Sequence, residues 1–149
     1  MSELIDVTVG GMLERMAEMY PNHQCVKYIE REYDMTYSEF NAEVDRVAKG
    51  LLGIGLKKGD HIAIWATNYP EWLSLLFATA KIGAVLVTVN TNYKIAELEY
   101  LLRQSDSKAL FVCDGLKDID CEKTLYELCP ELETSEPGIL QSEKLPKLT

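Results

Sequence analysis

Three short apolar runs set at a regular interval restrict the fold of this chain more than any other feature. They are His61-Ile62-Ala63-Ile64-Trp65-Ala66, Ala84-Val85-Leu86-Val87-Thr88-Val89 and Lys108-Ala109-Leu110-Phe111-Val112, and they begin about 24 residues apart. Each is apolar or β-branched without an in-and-out alternation, the pattern of a strand covered on both faces. A gap of that length is too long for a hairpin and holds one helix, so consecutive runs are joined by right-handed βαβ crossovers and lie parallel. The expected class is α/β: a parallel βαβαβ sheet covered by helices.

The gaps carry helix signals of the right kind. Pro70 suits a first helical position and Glu71 complements the positive end of the dipole, which starts a helix at Pro70 that ends near Gly83. Trp72, Leu73, Leu75, Leu76, Phe77, Ala78 and Ala80 make it apolar nearly all round, so it is buried on more than one side. In the second gap Ile95, Leu98, Leu101 and Leu102 mark the inner face of another helix.

Ahead of the first run, Val9, Met12, Leu13, Met16, Met19 and Tyr20 recur at helical spacing, with Thr8 as N-cap and Pro21 as a stop. From Gln24 to Met35 the pattern becomes strand-like, predicting a small hairpin with a tight turn. Thr36-Tyr37-Ser38-Glu39 has the form of a capping box and opens a helix whose apolar face is Phe40, Val44, Val47, Ala48 and Leu51. Gly55 suits the left-handed position after it.

Residues 1–149 are expected to form a single partial domain, with 114–149 as an acidic, less regular segment. Nine acidic residues and two lysines between Asp114 and Glu143 supply most of the net charge of -9. Ile119, Leu125, Leu128 and Leu132 mark one more helix there, interrupted by Pro130 and Pro137. No basic face exists to displace counterions from a duplex, which argues against nucleic acid. No run approaches the roughly 20 apolar residues of a membrane span, and the first residues lack a secretory pattern, so a cytoplasmic location is expected. Cys25, Cys113, Cys121 and Cys129 form no Cys-x-x-Cys pair and stand at no zinc-ligand spacing to His23 or His61, so buried or incidental reduced thiols are expected and no metal site.

Ligands of parallel α/β sheets bind beyond the carboxyl ends of the strands. The loops to inspect are therefore Thr67-Asn68-Tyr69, Asn90-Thr91-Asn92-Tyr93 and Cys113-Asp114-Gly115. None is glycine-rich, and neither a Walker sequence nor a nucleophile elbow is present. Gly53-x-Gly55 with Gly59 imitates a dinucleotide fingerprint but ends a helix instead of opening one. Asp114, Asp118 and Asp120 lack the glycine turn and terminal glutamate of a calcium loop. Pattern and spacing thus describe an α/β domain with no catalytic residues of its own.

Seven segments in order, from about Thr8 to Val112, extend this picture. They are Thr8-x-Gly10-x-Met12-Leu13, Met35-Thr36-Tyr37-Ser38-Glu39-Phe40, Ala48-x-Gly50-Leu51-Leu52-x-Ile54-Gly55-Leu56-x-x-Gly59-Asp60, Asn68-Tyr69-Pro70-Glu71-Trp72, Ala80-x-x-Gly83-Ala84, Val87-Thr88-Val89-Asn90-Thr91 and Glu97-Leu98-Glu99-Tyr100-Leu101-Leu102. Together they resemble the amino-terminal part of the large domain of AMP-forming acyl-CoA synthetases, particularly medium- and long-chain fatty acyl-CoA ligases. The resemblance implies a parent enzyme that activates a carboxylic acid with ATP and Mg2+ to an acyl-adenylate and passes the acyl group to CoA. It implies a phosphate loop, a ribose aspartate and a catalytic lysine located beyond Thr149, so the chain alone is expected to be inactive and to bind none of these cofactors tightly.

By the same resemblance, Asn92 and Lys94 border the CoA channel, with Asn92 standing where some members carry a basic residue. The partners implied are the remainder of the polypeptide and the acid substrate; a homo-oligomer is left open. The alternatives are an adenylation or luciferase-like member of the superfamily, and a non-catalytic α/β module that binds a small molecule or a protein.

Overall fold

The computed structural model describes residues 6–114 and 119–149. Helix α1 (Val9–Met19) is capped by the Thr8 hydroxyl, which accepts from the Gly11 N–H. Of its predicted stripe only Leu13 is buried, Met12 and Met16 are half-covered, and Val9, Met19 and Tyr20 face water. The hairpin pairs β1 (Gln24–Tyr28) with β2 (Tyr33–Thr36), from Tyr28 opposite Tyr33 to Gln24 opposite Thr36. Its turn is a 3-10 segment, Ile29–Arg31, closed by Glu32 at φ 49°, and not a two-residue connection.

Helix α2 (Tyr37–Gly53) begins with the predicted capping box: the Glu39 N–H donates to the Thr36 hydroxyl at 3.3 Å, and the Thr36 N–H donates to the Glu39 carboxylate at 2.9 Å. It buries Phe40, Val44, Ala48 and Leu51 and leaves through Gly55 at φ 88°, a left-handed exit that a side chain disfavours. The three apolar runs become β3 (His61–Trp65), β4 (Val85–Thr88) and β5 (Ser107–Val112), joined by α3 (Pro70–Ile82) and α4 (Ile95–Gln104). Both β4 and β5 pair in parallel with β3, so the order is β4-β3-β5 and the first of the three in the chain lies in the centre.

That order decides the layers. The connection through α3 leaves β3 toward one side, whereas the connection through α4 must cross back over β3, and right-handedness puts the two helices on opposite faces. Ile62 and Ile64 accordingly pack with α1, α2 and α3, while Ala63 and Trp65 pack with Leu98 and Leu102 of α4. All four are buried, as a central strand with two covered faces requires.

Lys81 of α3 ties the first layer together. Its ammonium, on a side chain only 8% exposed, lies 2.6 Å from Asp45 and 3.1 Å from Glu14, and donates to Asn41 at 2.7 Å. Gly10 is where α1 comes closest: a Cβ there would stand 2.8 Å from Lys81 Cγ.

The acidic segment is more ordered than its composition implies. Helix α5 (Cys121–Leu128) is capped by Asp120, whose carboxylate accepts from the Lys123 N–H at 2.9 Å, and a 3-10 turn follows at Pro130–Glu133. Pro130 thus stops the helix as expected, yet Cys129 is buried, and Leu128 and Leu145 are buried in the cluster that includes Leu98 and Leu102 of α4. Ile119, expected to open this helix, precedes the cap instead, and Gly115 and Asp118 lie outside the described residues.

At the amino ends of the strands, Asp60 accepts from the Lys57 N–H at 2.9 Å and from the Lys108 ammonium at 3.0 Å, bracing β3 against β5. The Lys108 hydrogen bond, helped by that of Lys57, holds the Asp60 carboxyl below its ordinary range despite some desolvation. Its contribution is therefore complete above the unfolded aspartate pKa of about 3.9 and is lost as pH falls through the lower folded value. Asp60→Asn is expected to unfold at lower urea than the parent at pH 7, with the difference closing as the pH drops below about 4. A constant difference across that window would show that the carboxylate charge is not what stabilises the corner.

Candidate functional site

In a sheet of order β4-β3-β5 the connections diverge between β3 and β5, which leaves a crevice at the carboxyl ends of those two strands. A cleft of about 470 Å³ occupies that place. Its floor is Ile64 and Ala66 with Phe111 and Val112, and one wall is the first turns of α3, including Trp72 and Leu75. Glu43, Arg46 and Val47 of α2 form the opposite wall, and Tyr69, Cys113 and Asp114 form the rim.

Local sequence explains how each part is held. Tyr69 precedes Pro70, so it is extended (φ -89°, ψ 145°) and leaves α3 to begin at once. The hairpin clamps it: the Arg31 guanidinium lies 3.8 Å from its ring centroid, and the Tyr28 hydroxyl donates to its carbonyl at 3.4 Å. Arg46 is held by a two-pronged pair with Glu43, Nη2 to Oε1 at 2.6 Å and Nε to Oε2 at 2.8 Å. The cleft therefore offers an apolar floor and aromatic wall facing a guanidinium–carboxylate pair in the wall opposite, a surface suited to holding an apolar group. The described residues contain no group of three histidine, cysteine or acidic side chains able to hold a metal.

Two of the three strand-end loops picked out in the sequence meet here, through Tyr69 and through Cys113 and Asp114. The third does not, because β4 lies on the far side of β3. Asn92 and Lys94 are exposed at the carboxyl end of β4: the Asn92 N–H donates to the Asn90 side chain at 2.9 Å, and the Lys94 N–H donates to Glu97 at 2.8 Å at the start of α4. Arg46 and Glu43 are absent from the sequence expectations. Their only signal is position, since they stand on the α2 face beside Val44 and Val47, and position becomes meaningful only once the strand order is known.

The thiols divide by burial. Cys121 and Cys129 are buried, Cys25 and Cys113 half-buried. Burial, followed by contact with Cys113, pushes the Cys121 thiol up to about 11. At pH 8 roughly one Cys121 in a thousand is then thiolate, the form that reacts. Alkylation of the folded chain with iodoacetamide at pH 8 is expected to leave Cys121 unmodified, whereas denaturant releases all four cysteines; prompt labelling of Cys121 in the folded chain would refute that packing.

A profile of the family described as AMP-binding enzyme matches residues 13–148. The chain belongs to that family. Among curated relatives, YngI of Bacillus subtilis (strain 168) is 49% identical over 148 residues, which cover 99% of this chain and 27% of the relative. The mitochondrial medium-chain acyl-CoA ligase ACSF2 of Rattus norvegicus is 40% identical, over 99% of this chain and 24% of its own. The crystal structure of the N-terminal domain of FACL13 from Mycobacterium tuberculosis superposes with a TM-score of 0.76 at 26% identity, covering 96% of this chain and 33% of that one. This AMP-binding enzyme chain thus spans about a quarter of the length of the curated relatives it matches. Among the described residues no helix is long and apolar enough to cross a membrane.

Proposed function

We propose that this chain is the amino-terminal part of a ligase that activates a medium- or long-chain carboxylic acid with ATP and transfers the acyl group through an adenylate to CoA. The observation that carries this reading is the 40% identity, over 99% of the chain, to a protein named as a medium-chain acyl-CoA ligase. Residues 1–149 then act as one partial domain, a rigid scaffold for chemistry performed by segments the chain does not contain. The sequence holds no glycine-rich phosphate loop, so the cradling of the ATP phosphates is assigned to other segments of the full-length polypeptide. For CoA the chain offers Lys94, an exposed ammonium, and Asn92, an exposed side-chain amide, at the carboxyl end of β4, two donors of the kind that pair with phosphate oxygens.

The test is a thioester assay on the full-length polypeptide with a medium-chain acid, ATP and CoA, run beside the 149-residue chain. The full-length protein is expected to give CoA-dependent product and the short chain none. Lys94→Glu in the full-length protein is expected to raise KM for CoA several-fold, with adenylate formation, followed by pyrophosphate exchange, unchanged. Adenylate formation without any thioester would overturn the CoA assignment.

A further inference from the structure

We propose that Cys113 and Cys121 form a peroxide-sensitive redox site, in which the two sulfurs join as a disulfide that ties the carboxyl end of β5 to the first residue of α5. The backbone holds each partner in place. The Cys113 N–H donates to the Trp65 carbonyl at 3.4 Å, which fixes Cys113 against β3 just past the last residue of β5. Cys121 opens α5, whose start is fixed by the Asp120 cap, and it is fully buried in the cluster of Trp65, Leu98 and Leu128. Cys113 packs against that same cluster, and the two thiols share a side-chain hydrogen bond. Sulfurs in such contact have only to close, by side-chain rotation, to the roughly 2.05 Å of a disulfide. The other two cysteines are placed differently. Cys129 follows the last residue of α5, about 12 Å along the helix from Cys121 and beyond the Cα separation of about 7 Å at which a bridge fails. Cys25 packs with the cluster on the opposite face of the sheet.

Exposure divides the roles. Cys113 is half-buried at the rim of the β3–β5 cleft, where a small oxidant reaches it. Cys121 is closed off, and burial holds it as the thiol, so it reacts only through its neighbour. The Cys113 sulfur attacks one oxygen of hydrogen peroxide, the O–O bond breaks, and the other oxygen leaves as water with the thiol proton, which makes Cys113 a sulfenic acid. The Cys121 sulfur then attacks the Cys113 sulfur. The S–S bond forms, the S–O bond breaks, and the second oxygen leaves as water with the Cys121 proton. The two thiols together lose two electrons, and the peroxide is reduced to two waters. A resolving partner in contact thus diverts Cys113 from the irreversible sulfinic acid to a disulfide that a dithiol reverses. The bond forms beside the cleft and fastens its β5 side to α5.

Hydrogen peroxide applied to the folded full-length protein, followed by denaturation, alkylation with iodoacetamide and tryptic mapping, tests this. Cleavage after Lys108, Lys117, Lys123 and Lys144 puts Cys113, Cys121 and Cys129 on separate peptides. The peptides joined through Cys113 and Cys121 are expected to exceed those joined through Cys121 and Cys129 by about tenfold or more, and to separate again with dithiothreitol. Both pairs stand eight residues apart, so an unfolded chain closes them with equal ease, and in urea the two products are expected within about twofold of each other. An unchanged ratio between folded and unfolded protein overturns the site, because the fold would then have no part in the pairing. Cys113 carried to the sulfinic acid while Cys121 still alkylates overturns it, as does a protein in which both remain thiols. Cys113→Ser is expected to leave Cys121 reduced under the same peroxide; an oxidised Cys121 in that variant means that it needs no partner and overturns the proposal too. The peptides are read whatever acid the enzyme activates, so a negative thioester assay leaves this test intact.

Discussion

Phe40→Ala is expected to lower the unfolding free energy by about 3–5 kcal/mol, the range for removing a fully buried aromatic ring from a core that cannot collapse around the void. Phe40 is 1% exposed and meets Phe77 edge-to-face, with centroids 5.7 Å apart and planes at 87°. It stands in the first turn of α2, where the capping box starts the helix, and it joins that start to the middle of α3. The loss therefore falls on the contact that holds the α2–α3 layer on the sheet. Urea unfolding followed by tryptophan fluorescence measures it, since Trp65 is fully buried and Trp72 half-buried. Phe40→Leu, which keeps most of the volume, is expected to cost about 1 kcal/mol. A loss below about 1 kcal/mol for the alanine variant would mean that the two rings do not pack as described.

Leu98→Ala is expected to cost about 2–5 kcal/mol, on the opposite face of the sheet. Leu98 is fully buried between Trp65, Leu102 and the α5 segment. Its neighbours are distinct from those of Phe40, because β3 lies between the two layers. The combination of Phe40→Leu with Leu98→Ala is therefore expected to be additive within about 0.5 kcal/mol. Coupling well above that value would show that the layers exchange strain through the sheet. Both losses are large against a total stability of order 5–15 kcal/mol for a domain of this size, so the leucine variant of Phe40 is the right partner for the double cycle.

Most of the elements were legible in the sequence for local reasons. The Thr36–Glu39 box, the Tyr69-Pro70 step and the left-handed Gly55 and Gly83 are one-residue decisions made by backbone chemistry, and each sits where its side chain or its lack of one demands. The apolar runs marked the strands because a doubly covered strand has no polar face to confuse the pattern. Less was legible where burial depends on a distant partner. The methionine stripe of α1 promised a wider buried face than Leu13 alone, and the acidic composition after Asp114 concealed that Cys121, Leu128 and Leu145 pack in the cluster of Leu98 and Leu102 of α4.

The candidate site shows the same division more sharply. From the spacing of strands alone, three carboxyl-end loops were equivalent; nothing local distinguishes the Asn90–Lys94 loop from the other two. Pairing order distinguishes them, because β5 returns to the free side of β3, bringing Tyr69 to Cys113 and Asp114 and leaving Asn92 and Lys94 at the far strand. The α/β class, the positions of the helices and strands and the family resemblance were all readable from residues a few positions apart, since caps, turns and apolar periodicity act at that range. Strand order, the cleft with its Arg46–Glu43 wall and the open edge of β5 emerged with the folded chain, because each depends on which side of β3 the third strand takes, a choice made by long-range burial and by no residue near it.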